Sequence, residues 1–535
     1  MTVVTMISLR MFFREFCFPW ASNNHRSLNV LTATARDIQK ELTAKRITSV
    51  EVIDKYLDQI SQHNSYLRAV IAICPSARQQ AEILDRERQN GKIRGPLHGV
   101  PVLLKDNIAT HPELGMDTTA GILALAGSRP RQNADVVDKL IQAGAVILGK
   151  TQLSELNGFK GSKIMPGWSA IGGQAQSAYT SGDVDLSDTG LGHTSPAGSS
   201  TGSAVAVSAG FSPVALGTDN GGSLITPSTR AALYALRPTS GLVPQSGVVP
   251  LSAIFDTVGP MAKSPADLAD MLDVLVDPEL VKSQGSYSVA LTRTFGDIRI
   301  GVLNPEEWFF GPALQRLVPS ATNQIISDTY TAYAKLKKLA KSFKEVTLIS
   351  PDALIVNQTD SFYDIQTARF KTTLGAYLQS LESSKVRTLD QLIGFNKDHA
   401  SREMPTGYGN QDQLVAAAEF DMSEHEHDSL LRHARRVSRD LGIDKTLRDY
   451  EVDVIIAPAD SCFNLLVSAA GYPSATMPLS YLAYNGRPIG LAVFSTADQE
   501  RLLLQVLSAW EAISPQRRPP TRFKQQKRST SGPSL

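Results

Sequence analysis

Between Arg68 and Leu148 the chain alternates between two hydrophobic patterns, and this alternation restricts its fold more than any other feature. Arg68 to Cys74 (RAVIAIC) reads as a strand, and Pro75 to Asn90 as a helix closed by Gly91. Val100 to Leu104 is a short buried strand ending at Lys105. Ala134 to Ala143 is a helix, and Ala145 to Leu148 a strand. Uninterrupted apolar strands separated by helices need cover on both faces of a sheet, which makes the chain α/β. Upstream, Thr34 to Asn64 has a helical pattern, with Thr48 and Glu51 spaced as a capping box. Downstream, Ile298 to Leu303 and Val452 to Ala457 are the clearest strands. Phe362 to Leu378 and Ser423 to Leu441 are the clearest helices.

Residues 158–203 break this pattern. They are crowded with Gly, Ser, Thr, Ala and Asn, a composition typical of linkers. Trp168, Ile171, Tyr179 and Leu191 punctuate the stretch, so it reads as an ordered loop region lying on a core.

Composition excludes several function classes. Lys+Arg 53 against Asp+Glu 52 leaves a formal charge of +1, which argues against bulk nucleic-acid binding. Cys17, Cys74 and Cys462 form neither a disulfide framework nor a CxxC metal pair. No apolar run approaches the roughly 20 residues of a membrane span. Residues 1–30 read as an N-terminal extension, either a targeting segment or a surface-packed one, with Arg10, Arg14 and Arg26 against the single acid Glu15. Residues 514–535 are basic and Pro-rich and read as a disordered tail, with 31–513 between them as the main domain.

Three motifs compete for the chemistry. Gly144 to Thr151 (GAVILGKT) matches the phosphate-loop string G-x-x-x-x-G-K-[ST]. Its variable positions are Ala-Val-Ile-Leu, however, and a helix rather than a strand precedes it, so it reads as a turn entering a core strand. Gly198 to Gly202 (GSSTG) matches G-x-S-x-G and would make Ser200 the nucleophile of an α/β-hydrolase esterase, although LGHTSPA before it is no strand. His399, His425, His427 and His433 are the available bases for that reading, three of them in the charged run SEHEHDSLLRH.

The third motif is distributed. It joins Gly95 to Ile108 (GPLHGVPVLLKDNI), the serine-rich loop at Gly198 to Ser203, Gly217 to Pro227 (GTDNGGSLITP) and Leu236 to Gly241 (LRPTSG). In these stretches the chain resembles the amidase signature family, from about Thr34 to Ala512. It is similar in particular to fungal amidases, which carry a stretch like Ala470 to Leu479 (AGYPSATMPL).

The residues bear a chemical reading of their own. Adjacent glycines let successive N–H groups at Asn220 to Ser223 point one way, as an oxyanion requires, although a Gly-Gly-Ser turn is often only a turn. Pro227 suits the first turn of a helix starting just after Ser223. Lys105 ends an apolar strand, so it is either a desolvated amine able to take a proton or a lysine snorkelling to the surface. Holding it neutral near pH 7 costs about 4–5 kcal/mol.

The resemblance implies an α/β fold with a large central mixed β-sheet covered by helices on both faces. It implies a catalytic triad of Lys105 as base, Ser199 as bridging serine after a cis peptide bond, and Ser223 as nucleophile. Asn220, Gly221 and Gly222, with Ser199 and Ser223, would bind the oxyanion and the substrate. The reaction implied is hydrolysis of a carboxamide to acid plus amine or ammonia through an acyl-enzyme, with no metal or cofactor. The expected partner is a small-molecule amide, not nucleic acid, and the expected enzyme is a cytoplasmic monomer or homodimer. The rival readings are an amidotransferase-type subunit in a tRNA-dependent complex and the esterase at Ser200. The chain departs from the family pattern at Ala197 and Thr201, which replace glycines and leave the orientation of Ser200 in question. It departs also at Ile225, which stands where many members have the arginine expected to pair with Asp219.

Overall fold

The computed structural model describes residues 28–523. Residues 1–27 of the N-terminal extension read over 1–30, whether targeting or surface-packed, and the last part of the basic tail, 524–535, lie outside the described residues, as does Cys17.

Eleven strands form one mixed sheet: β1 (Val70–Ile73), β2 (Pro101–Lys105), β3 (Val146–Thr151), β4 (Val214–Asp219), β5 (Tyr234–Arg237), β6 (Thr257–Ala262), β7 (Arg299–Val302), β8 (Ser342–Glu345), β9 (Val454–Pro458), β10 (Ser474–Tyr481) and β11 (Pro488–Phe494). Their spatial order is β1-β3-β2-β4-β6-β5-β10-β11-β9-β7-β8. β3, β2 and β4 run parallel; β4, β6 and β5 are successively antiparallel. Every residue of β2, β3, β4, β6, β9 and β11 is buried. Alternate side chains of a strand point to opposite faces, so both faces of the sheet are covered.

The local signals act as their chemistry dictates. Thr48 and Glu51 close a reciprocal capping box on the helix Ser49–Leu67. Gly144 turns at φ +81° from the helix Asp135–Gln142 into β3. Lys150, in the phosphate-loop-like string, is buried in that strand. It donates to the Ile108 carbonyl (2.8 Å) and the Thr118 hydroxyl (2.9 Å) and pairs with Asp106 (3.3 Å). No loop of free amides exists there to cradle a phosphate. The Gly- and Ser-rich region is ordered over the core, with Trp168 buried beneath it.

The tail expected to be disordered is packed over 514–523. Phe523 is buried, and Arg517 donates to the carbonyls of Ala232, Leu31 and Ser208. Among the described residues no helix is long and apolar enough to cross a membrane.

Candidate active site

Parallel β2, β3 and β4 end on one edge of the sheet, and ligands of α/β folds gather at that edge. Lys105 is the last residue of β2 and is wholly buried. Its amine lies within hydrogen-bond distance of Ser199 Oγ (2.7 Å), Thr218 Oγ1 (2.8 Å) and the Thr218 carbonyl (3.3 Å). Thr218 is supplied by β4 next door, and its hydroxyl also accepts from Asn107 Nδ2 at 3.0 Å. Burial pushes the Lys105 amine down from 10.5 to about 7, against the opposing pull of the Asp219 and Asp256 charges.

Among the described residues, three lysines are wholly buried. Lys150 has Asp106 for a counter-ion, and Lys160 has Glu155 and Glu403; Lys105 has no carboxylate within salt-bridge distance. The desolvated amine expected from the sequence is therefore present, and the snorkelling alternative is not.

The serine-rich loop delivers Ser199 against that amine. The Gly198–Ser199 peptide is cis, and a Cβ at Gly198 would collide with Ser154 Oγ. Ala197 takes a positive φ of 58° despite its methyl group, and Thr201 Oγ1 donates to its carbonyl at 2.6 Å. Thr201 itself opens the helix Thr201–Ser208. The two departures from glycine thus lock the loop, and the orientation of Ser200 is fixed. Ser200 is wholly buried; its hydroxyl donates to the Thr218 carbonyl (2.9 Å) and accepts from the Thr218 amide (3.2 Å), which leaves it no access to a substrate. Of the histidines read as bases for Ser200, His433 is engaged with the Ala353 carbonyl; His193, in the stretch that precedes Ser200, is engaged with the Arg316 carbonyl.

Ser223 lies four residues past β4, where the helix Ile225–Thr229 begins. It is half-buried, Gly221 just before this point is exposed, and Ser200 N donates to the Ser223 carbonyl at 3.3 Å. No hydrogen bond joins the Ser223 hydroxyl to Ser199 among the described residues. Gly222 adopts φ +114°, which a side chain disfavours, and a Cβ there would press on Asn464 at 3.1 Å.

The turn is organised by Asp219. Its carboxylate accepts from the Gly222 amide (2.9 Å) and the Leu224 amide (2.6 Å). The Gly222 N–H is therefore spent inside the turn, which corrects its expected place among the oxyanion donors. The amides of Gly221 and Ser223 have no protein acceptor among the described residues. The Asn220 side chain points away, donating to Asp256 at 2.8 Å.

A second correction concerns the partner of Asp219. Ile225 supplies no charge, yet Asp219 is paired: Arg237, the last residue of β5, donates to its carboxylate at 2.8 Å and to its carbonyl at 3.1 Å, and to the Phe255 carbonyl at 2.8 Å. Sequence reasoning missed Arg237, Thr218 and Asn107. All three stand inside the quoted motifs, but nothing in their spacing shows which strands are neighbours. Among the described residues no cluster of three or more His, Cys, Asp or Glu could hold a metal ion.

The chain is similar to known proteins over most of its length. The family model described as "Amidase" matches residues 51–504. The Arabidopsis thaliana protein "Probable amidase At4g34880" is 34% identical over 508 residues, spanning 92% of each chain. A glutamyl-tRNA(Gln) amidotransferase component of Chloroflexus aurantiacus is 30% identical over 530 residues, covering 91% of this chain and 97% of that one. The native peptide amidase of Stenotrophomonas maltophilia superposes with a TM-score of 0.79 at 33% identity, covering 91% of this chain and 98% of that one. The chain belongs to the amidase family and is a hydrolase of amide C–N bonds.

Proposed function

We propose that Ser223 is the nucleophile of this hydrolase, Lys105 its base and Ser199 the relay between them, acting on a small-molecule amide without a partner chain. The observation that carries the reading is the Lys105 amine, desolvated, without a counter-ion, and 2.7 Å from Ser199 Oγ. A neutral amine there can take a proton at neutral pH, which an ordinary lysine cannot.

Ser223 Oγ attacks the amide carbonyl, and its proton moves through Ser199 to Lys105. The Gly221 and Ser223 amides stabilise the oxyanion. Lys105 returns the proton through Ser199 to the departing nitrogen as the C–N bond breaks. Water then attacks the acyl-enzyme, giving its proton along the same path, and the acid leaves with Ser223 restored.

The test uses the purified chain alone. Ammonia release from amides of graded acyl length is expected with no second protein added. Ser223→Ala should abolish it with the circular dichroism spectrum unchanged, and Lys105→Ala should cost about three orders of magnitude or more. A fluorophosphonate should label Ser223. Labelling at Ser200, near-native rates for Lys105→Ala, or turnover only after a tRNA-binding partner is added would overturn the assignment.

A further inference from the structure

The helix Glu424–Ser438 packs against the helix Phe463–Ala470. Beside their contact lies a groove of about 630 Å3, lined by Arg432, Arg435, Arg436 and Arg439 together with Asp428 and Asp440. The two inner arginines are half-buried and fixed. Arg435 donates through Nη1 to the Ala469 carbonyl (2.6 Å) and lies over the Phe255 ring (5.8 Å). Arg439 donates through Nε to the Ala470 carbonyl (2.8 Å) and lies over the Tyr472 ring (5.2 Å). A guanidinium has five N–H donors, and the rest of theirs have no acceptor among the described residues. Arg432 and Arg436 are exposed. Asp428 lies beside His427 (3.6 Å), and neither it nor Asp440 forms an ion pair with a groove arginine among the described residues. Four guanidiniums against two carboxylates leave the groove two positive charges in excess. Burial and the charges of Arg439 and Arg237 push Arg435 down from 12.5 to about 10, as befits a cation without a counter-ion.

We propose that this groove binds a phosphomonoester, its phosphate held by the free donors of Arg435 and Arg439 and covered by Arg432 and Arg436. The donors decide the class. One arginine fork suffices for a carboxylate, whereas several guanidiniums about one groove match a phosphate group, with three acceptor oxygens and nearly two negative charges. The volume decides the rest: a bare phosphate fills only a part of the groove, which leaves room for the group it is esterified to. The carbonyls that fix the inner arginines end the helix Phe463–Ala470, whose first turn packs Asn464 and Leu465 against Gly222 and Gly221. The groove thus stands one helix away from the turn before Ser223 and is separate from it, so the proposal does not depend on which serine is the nucleophile.

The experiment is isothermal titration calorimetry of the full chain with glycerol 3-phosphate at about 0.1 M salt, with glycerol as the uncharged control. A Kd below about 1 mM is expected for the ester, and no binding of glycerol. Replacing both exposed arginines, Arg432→Gln with Arg436→Gln, should raise the Kd about tenfold or more with the denaturant midpoint unchanged. Asp428→Asn, which removes a like charge from the groove, should lower it. Arg448→Gln, at an exposed arginine outside the groove, should leave it unmoved. The lack of any binding up to about 10 mM ester, or a double variant that binds as the wild type does, overturns the proposal. Equal weakening by Arg448→Gln overturns it too, because the attraction is then a diffuse field and not a site. Binding of an RNA oligonucleotide but not of the ester does the same. Once the soluble ester binds, vesicles of phosphatidylcholine with and without phosphatidate separate the sources of the phosphate. Retention on the phosphatidate vesicles alone adds a lipid headgroup as a ligand, and retention on neither restricts the site to soluble esters; either result keeps the site.

Discussion

At the scale of single residues, Lys105 sets function against stability. Unfolded, its amine titrates near 10.5; folded, near 7. Between those values the unfolded chain holds a proton that the folded chain has released. Stability therefore falls as pH is lowered from about 10.5 to about 7, and below 7 it is no longer affected by this group. Lys105→Met removes the penalty together with two good hydrogen bonds. It is expected to unfold at higher denaturant at pH 7, by about 2 kcal/mol, with the advantage gone by pH 10.5 and turnover abolished. The same titration places the acid limb of kcat/KM near pH 7 in the wild type, since only the neutral amine can act as base. An equal stability difference at pH 7 and pH 10.5 would mean that the buried amine is charged.

At the scale of elements, the turn proposed to carry the nucleophile is held by a carboxylate on one strand and an arginine on another. Asp219 ends β4 and Arg237 ends β5; both strands run opposite to β6 between them, so their last residues reach the same edge. Asp219→Asn presents an amide donor where two N–H groups and a guanidinium expect acceptors. It is expected to lower kcat about hundredfold with a smaller change in KM, the scale of losing one oxyanion donor. It also has a signature that mere loosening lacks. The Asp219 charge favours the Lys105 ammonium, so its removal should shift the acid limb of the pH profile downward. A fall in rate with the limb unmoved would assign Asp219 a packing role only. The Arg237–Asp219 pair also shows where sequence reading stops. Apolar runs such as VPVLL and VDVIIA show their strands directly, because continuous burial leaves no other period. Which strands become neighbours is a tertiary fact, so an arginine at the end of β5 could not be matched to an aspartate at the end of β4. Lys105, Ser199 and Ser223 are singled out by the family resemblance alone; on local features each has an ordinary structural explanation.

At the scale of the whole molecule, the carboxy-terminal segment secures the two helices that follow Ser199 and Ser223. Composition marks residues 514–523 as having too little apolar surface to fold. That reasoning counts what a segment can bury and omits what the rest of the chain offers it. Here the offer is a set of carbonyls: Arg517 donates to Ser208 (3.0 Å), Ala232 (2.9 Å) and Leu31 (3.1 Å). Ser208 ends the helix that follows Ser199, and Ala232 lies just past the helix that follows Ser223. One guanidinium thus joins the carboxyl ends of both helices, where a cation is favoured by the unpaired carbonyls, and ties them to the first described residues. Arg517→Ala is expected to lower the unfolding free energy by about 2 kcal/mol. Arg517→Lys should recover only part of it, since an ammonium is a point charge without the planar fork that spans three acceptors. Denaturant midpoints of the three proteins measure this, with kcat/KM read in parallel. If Arg517→Ala unfolds at the wild-type midpoint, the segment only rests on the surface and the helices are held by the core alone.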